Sequence, residues 1–207
     1  MTTFIPDAAD IAIADWIERH LADALASDDG PVAITVPGGS TPFPIFEALA
    51  ERDLDWSRIA IWPGDDRVVP EDHPASNTGR IRTIFEPTGA HVEALAQDAS
   101  PPRFALTWLG MGADGHIASL FPNTDPDPHD PLAIRRLTPD PLPPQAPFDR
   151  VTLTMPALLE TGALMFVIRG DEKLAVFERA ARGEGDLPIA RLLARARDAN
   201  IAVTCFT

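Results

Sequence analysis

Glycines, a carboxylate and a histidine are packed together in Gly110-Met111-Gly112-Ala113-Asp114-Gly115-His116, a combination suited to a base that must reach a ligand. Gly110, Gly112 and Gly115 let a ligand approach the backbone. Asp114 stands where an N-cap would open a short helix ending near Phe121, which puts His116 in the first helical turn. The positive end of a helix dipole, worth about 0.3–1 kcal/mol, favours the neutral imidazole, the form a general base needs. A plain βα turn with a packing histidine fits the same residues, so the motif alone leaves both readings open. The glycines also spell G-x-G-x-x-G, but the acidic residue about 20 positions on, near Asp130, falls in a proline-rich stretch. No nicotinamide cofactor is expected.

Three further blocks carry chemistry. Pro37-Gly38-Gly39-Ser40-Thr41-Pro42 is a second glycine turn. Pro42 and Pro44 remove two N–H groups, so donors for a phosphate must come from Gly38, Gly39, Ser40, Thr41 and Phe43. Asp65-Asp66-Arg67, followed by His73, Ser76 and Asn77, crowds charge where a strand ends, the side of an open α/β sheet that binds ligands. Arg169-Gly170-Asp171-Glu172-Lys173 is another strand-to-helix turn with cations. Cys205, the lone cysteine, reads as buried packing, and His20 as structural; His129 has no supporting pattern.

These blocks need elements to position them. Ile13, Trp16, Ile17, Leu21 and Leu25 predict a long amphipathic helix from Asp7 to about Ala26. Strands are expected over 31–36, 58–62, 91–95, 103–108, 133–137, 150–155, 163–168 and 200–206. Helices are expected through Phe46 and Leu49, over 76–85, from Pro156, through Leu174 and Phe177, and over 188–197. The proline- and aspartate-rich stretch 122–148 reads as a long loop of the kind that rims a site. Alternating strands and helices predict an α/β fold with a mainly parallel sheet covered on both faces.

With 207 residues, 45% of them hydrophobic, the chain suits one domain spanning 1–207. A formal net charge of −14 works against nucleic acid and anionic membranes. It also means that an anionic small molecule must be met by cations and amides gathered locally. No stretch has the length of a membrane span and the first residues lack the pattern of a signal peptide, so a cytoplasmic location is expected.

Taken in order, Gly38-Gly39-Ser40-Thr41-Pro42, Asp65-Asp66-Arg67 with His73, Ser76 and Asn77, and Gly110 to Pro122 resemble the 6-phosphogluconolactonase family. Arg150-Val151-Thr152-Leu153-Thr154 and Gly170 to Lys173 resemble its later blocks, so the likeness covers nearly the whole chain. Ala113 stands where the family usually has Glu, Ile117 where it has Thr, and Asp66 where it has Glu; an Asn after the Thr-Leu-Thr strand is missing near Glu160, and the acidic residue usual near the end is missing at Thr207. The resemblance implies a three-layer α/β/α fold with a Rossmann-like sheet, shared with glucosamine-6-phosphate isomerases. It implies hydrolysis of 6-phospho-D-glucono-1,5-lactone without metal or other cofactor; a monomer or weak homo-oligomer is expected. His116 would be the general base, Asp65 or Asp114 would orient it or a substrate hydroxyl, and Arg67, Arg150 and Lys173 would join the amides of Gly39, Ser40 and Thr41 around phosphate or lactone oxygens. An amino-sugar-phosphate isomerase is the alternative enzyme, which the run Ala118-Ser119-Leu120-Phe121-Pro122 disfavours. A non-catalytic sugar-phosphate sensor would need a DNA-binding module, and no segment or basic face suggests one.

Overall fold

The computed structural model describes residues 2–27, 29–123, 127–144 and 146–207. Its centre is a seven-stranded sheet in which every pairing is parallel. In chain order the strands are β1 (Thr2–Ile5), β2 (Val32–Val36), β3 (Ile59–Pro63), β5 (His91–Val92), β6 (Leu106–Leu109), β9 (Ala163–Val167) and β10 (Ala202–Phe206). In space they run β1-β10-β9-β6-β2-β3-β5. The chain therefore winds outward in both directions from the β6–β2 junction. Strands β2, β6 and β9 are buried at every position, as expected of a parallel sheet covered on both faces.

Helices α1 (Asp10–Ser27), α2 (Phe43–Ala50) and α3 (Asn77–Phe85) serve one core, and α4 (Met155–Leu159), α5 (Asp171–Ala181) and α6 (Pro188–Asp198) the other. Helical spacing explains the burial. Ile13, Ile17 and Leu21 form one stripe of α1, and Ile189, Leu192, Leu193 and Ala196 one stripe of α6, each turned to the sheet. Among the described residues no helix is long and apolar enough to cross a membrane.

A small antiparallel sheet, β4 (Asp65–Arg67), β8 (Arg150–Leu153) and β7 (Ile134–Leu137), joins the main one. The charged triplet that follows the end of β3 is thus a strand of its own. The junction is made by backbone: Gly64 N–H donates to Val36 O at 2.9 Å, and Leu153 N–H donates to Gly64 O at 2.9 Å.

Three differences from these expectations stand out. No helix follows Gly110: residues 111–120 form two consecutive turns. Gly115 (φ +80°) and Ala118 (φ +47°) lie in the left-handed region, which interrupts a right-handed helix. The strand β1 went unseen because it is a short edge. The expected strand over 91–95 shrinks to two residues. Within the loop 122–148, residues 124–126 and 145 lie outside the described residues. Asp130 there is buried and paired with Arg135 at 2.6 and 3.0 Å; burial pushes its carboxyl up, but Arg135 and the Leu132 N–H hold it below the usual range.

Asp66 ties the small sheet to α3. Its buried carboxylate accepts hydrogen bonds from the N–H groups of Arg67 (2.7 Å), Asn77 (2.6 Å) and Thr78 (2.8 Å) and from Ser76 Oγ (3.2 Å). Ser76 Oγ in turn caps the helix by accepting from Gly79 N–H at 3.0 Å. Removing the carboxylate leaves buried donors without an acceptor. Asp66→Ala is expected to lower stability by about 2–5 kcal/mol and Ser76→Ala by about 1 kcal/mol, measured by urea unfolding; equal losses for the two would contradict this arrangement.

Candidate functional site

Strands β9, β6, β2 and β3 are neighbours and parallel, so their carboxyl ends open on the same edge. From those ends come the Arg169–Lys173, Gly110–His116, Gly38–Thr41 and Asp65–Arg67 blocks. Together they line a cleft of about 310 Å³. It lies at the β6–β2 junction where the winding direction reverses, the place where doubly wound sheets bind ligands.

His116 stands in a turn. Gly112 N–H donates to His116 O at 3.0 Å and Gly115 N–H to Gly112 O at 3.0 Å. The Asp114 carboxylate folds back to accept from His116 N–H at 3.2 Å and from its ring at Nδ1, 2.6 Å away. Because a carboxylate only accepts, Nδ1 carries the proton, and in the neutral ring Nε2 keeps its lone pair. The carboxylate, and not a helix dipole, sets the tautomer. Phe121 packs against the ring at 4.9 Å between centroids. Gly112 supplies the remaining room: a Cβ there would fall on the imidazole and on Asp114 Oδ1.

The opposite side is a chain of hydrogen bonds. Ser119 Oγ donates to Asp65 Oδ2 at 2.5 Å. Asn77 Nδ2 donates to Asp65 O at 2.9 Å, and Arg67 Nη1 donates to Asn77 Oδ1 at 2.6 Å and Ala75 O at 3.3 Å. Arg67 Nε is buried and has no hydrogen-bond partner among the described residues. Asn77 also fills the space over Gly38, where a Cβ would overlap its amide. Gly39, at φ +89°, takes the left-handed turn that a side chain would disfavour. Ser40 and Thr41 follow it along the cleft wall, and Arg169 and Lys173 line the same cleft.

Sequence and structure part at several positions. His116, Asp65, Gly38, Gly39, Ser40, Thr41, Arg67 and Lys173 line the cleft, with Asp114 behind His116. Arg150 does not: its buried guanidinium donates to Phe148 O (3.1 Å) and Ala146 O (2.9 Å). Burial and the neighbouring Arg67 charge lower its pKa, against the opposing pull of Asp65 and Asp66. Asp66, a strand-end candidate, is consumed as a cap. No described residue of the loop 122–148 lines the cleft. Asn77, Ser119 and Arg169 join the site without a role having been given to them. Asn77 and Ser119 lie within the quoted motifs, but their partners are far away in sequence.

A family model for glucosamine-6-phosphate isomerases/6-phosphogluconolactonase matches residues 6–88 and 86–202. The chain is 35% identical over 200 residues to the 6-phosphogluconolactonase of Neisseria meningitidis serogroup A, covering 84% of each chain. It is 33% identical to that of Rhizobium meliloti, covering 92% of this chain and 91% of the relative. Among solved structures, 6-phosphogluconolactonase from Shewanella baltica superposes with a TM-score of 0.85 at 27% identity, over 100% of this chain and 97% of that one. The Thermotoga maritima 6-phosphogluconolactonase gives 0.81 at 25% identity, over 100% and 99%.

Cys205 lies fully buried in β10, away from the cleft. Burial, reinforced by the Glu178 charge, pushes its thiol up to about 12, which leaves no reactive thiolate near neutrality. The native protein is expected to resist Ellman's reagent at pH 8 and to react fully once unfolded in guanidinium. Rapid reaction of the native protein would contradict that burial.

Proposed function

Because the chain belongs to the glucosamine-6-phosphate isomerase/6-phosphogluconolactonase family, we propose that this cleft carries out the family's lactone hydrolysis with His116 as the base. The activity is that of a 6-phosphogluconolactonase, opening 6-phospho-D-glucono-1,5-lactone to 6-phospho-D-gluconate in the oxidative pentose phosphate pathway. The observation that carries the role of His116 is its 2.6 Å contact with Asp114 at the cleft wall. It leaves Nε2 free to accept a proton from water.

In the proposed sequence, water attacks the C1 carbonyl while Nε2 removes one of its protons. A new C1–O bond forms and the carbonyl becomes an oxyanion. As the oxyanion collapses, the bond from C1 to the ring oxygen breaks, and the imidazolium returns the proton to that oxygen, which becomes the C5 hydroxyl. The new carboxylic acid then loses its own proton to solvent. Asp114 fixes the ring and stabilises the imidazolium during the interval between the two transfers.

Binding is divided between the walls. The amides of Gly39, Ser40 and Thr41, with Lys173, suit the phosphate, since backbone N–H groups and an ammonium complement its oxygens. Arg67 suits the lactone oxygens. It is held through Asn77 beside Asp65, and Asp65 is bonded to Ser119 on the hairpin that carries His116. Asp65 would accept a substrate hydroxyl. Arg150, which does not line the cleft, is assigned to bracing the 146–148 backbone.

Acid release from freshly generated phosphogluconolactone, with spontaneous hydrolysis subtracted, tests this reading. His116→Ala is expected to lose about 10²–10⁴ in kcat, with Asp114→Asn intermediate. Unchanged catalysis in His116→Ala would overturn the base assignment. No acceleration by the wild type, together with conversion of glucosamine 6-phosphate, would overturn the lactonase reading itself.

A further inference from the structure

Arg169 stands where β9 gives way to α5, one residue before the Gly170 turn, and it lines the cleft beside Lys173. Its hydrogen bonds to described residues use a single nitrogen: Nη2 donates to Ala8 O at 2.7 Å and lies 3.3 Å from Asp10 Oδ1. Nε and Nη1 make none. The side chain is 36% exposed and lines the cleft, with Nε and Nη1 uncommitted to described residues. An arginine pinned by one nitrogen has already lost much of its freedom, and its planar fork suits two oxygens of one phosphate better than an ammonium does.

Charge gives the position its importance. The chain carries −14, and one of the carboxylates in that total, Asp65, lines the cleft itself. Arg67 and Lys173 oppose it, but Arg67 already spends Nη1 on Asn77 and Ala75. A phosphate bearing nearly two charges needs more than one ammonium to enter a field of that sign.

We propose that Arg169 is a specificity-determining residue that, with Lys173, forms the wall contacting the substrate phosphate and selects phosphorylated over unphosphorylated lactone. The inference rests on the lactonase reading above and adds a residue to it. The rival role for Arg169 is a staple between the end of β9 and the start of α1, since Ala8 N–H also donates to Thr207 O at 3.2 Å. A staple would affect every substrate alike.

The test compares the wild-type protein with Arg169→Ala and Arg169→Lys. Steady-state kinetics on 6-phospho-D-glucono-1,5-lactone and on D-glucono-1,5-lactone are set beside calorimetric binding of 6-phosphogluconate and gluconate, and thermal melting of each variant. Arg169→Ala is expected to raise KM for the phosphorylated lactone by about tenfold to a hundredfold, the loss typical of a charge-assisted hydrogen bond. Its kcat should stay within about twofold, and the unphosphorylated lactone and gluconate should be handled as before. Arg169→Lys should recover part of the loss. An equal loss for both substrates together with a lower melting temperature would overturn the proposal in favour of the staple, and unchanged KM would overturn it outright. If the wild type hydrolyses neither lactone, the reaction assignment falls. In that case weaker 6-phosphogluconate binding by Arg169→Ala still upholds the phosphate wall, and unaltered or absent binding removes it as well.

Discussion

Parallel pairing of β9, β6, β2 and β3 is the constraint on which the site depends. In an antiparallel arrangement alternate strand ends would point away, and the four glycine- and charge-bearing turns would be split between two edges. Parallel pairing sends all of them to one. The central strands β2, β6 and β9 are buried throughout, so the edge they define is fixed by core packing and not by the turns. The turns are then free to be polar, glycine-rich and partly exposed, with Asp66 the one strand-end carboxylate that also braces the fold.

Each turn is nevertheless braced by a neighbour distant in sequence. Asn77 is the clearest case: one amide bonds Asp65 and Arg67 and covers Gly38. Ser119 binds the His116 hairpin to Asp65, and Thr152 Oγ1 accepts from Ser119 N–H at 3.2 Å from the small sheet. The base and the guanidinium therefore belong to one connected network. A displacement at the Asp65 carboxylate would be felt at both, which is how a site gains preorganisation from short side chains.

Much of this was legible in the sequence because two periodicities and the glycine turns report directly on the backbone. The stripe Ile13-Ile17-Leu21, the apolar run Val32–Val36 and the spacing of Ile81, Ile84 and Phe85 each determine an element locally. The blocks that line the cleft were legible for the same reason, since a strand end followed by glycine places its residues at the sheet edge. What the sequence hid was pairing. Arg150 follows the pattern of a site cation, but nothing local says that its guanidinium turns to Phe148 and Ala146. Asp65-Asp66-Arg67 is too charged to read as a strand, and it becomes one because β8 lies alongside. Asp66 is buried only because α3 offers it N–H groups. The Asp130 carboxylate, too, is explained by a partner, Arg135, five residues away.

The missing helix after Gly110 changes the physics of the base. In the first turn of a helix, His116 would meet a partial positive charge that favours neutral imidazole but opposes the imidazolium formed once it takes a proton. A base must tolerate both states. In the turn actually formed, Asp114 Oδ1 lies 2.6 Å from Nδ1, so it orients the neutral ring and supports the charged one. The backbone reaches that arrangement through left-handed conformations at Gly115 and at Ala118, the latter a residue with a side chain that ordinarily avoids that region. Such strain persists only where the surroundings enforce it, and here they do: Ile117, Ser119 and Leu120 on either side are fully buried. Local propensity favoured the simpler helix. Burial of those three side chains, together with the hydrogen bonds accepted by the exposed Asp114 carboxylate, selected the turn, and the turn gives the histidine a partner matched to both its protonation states.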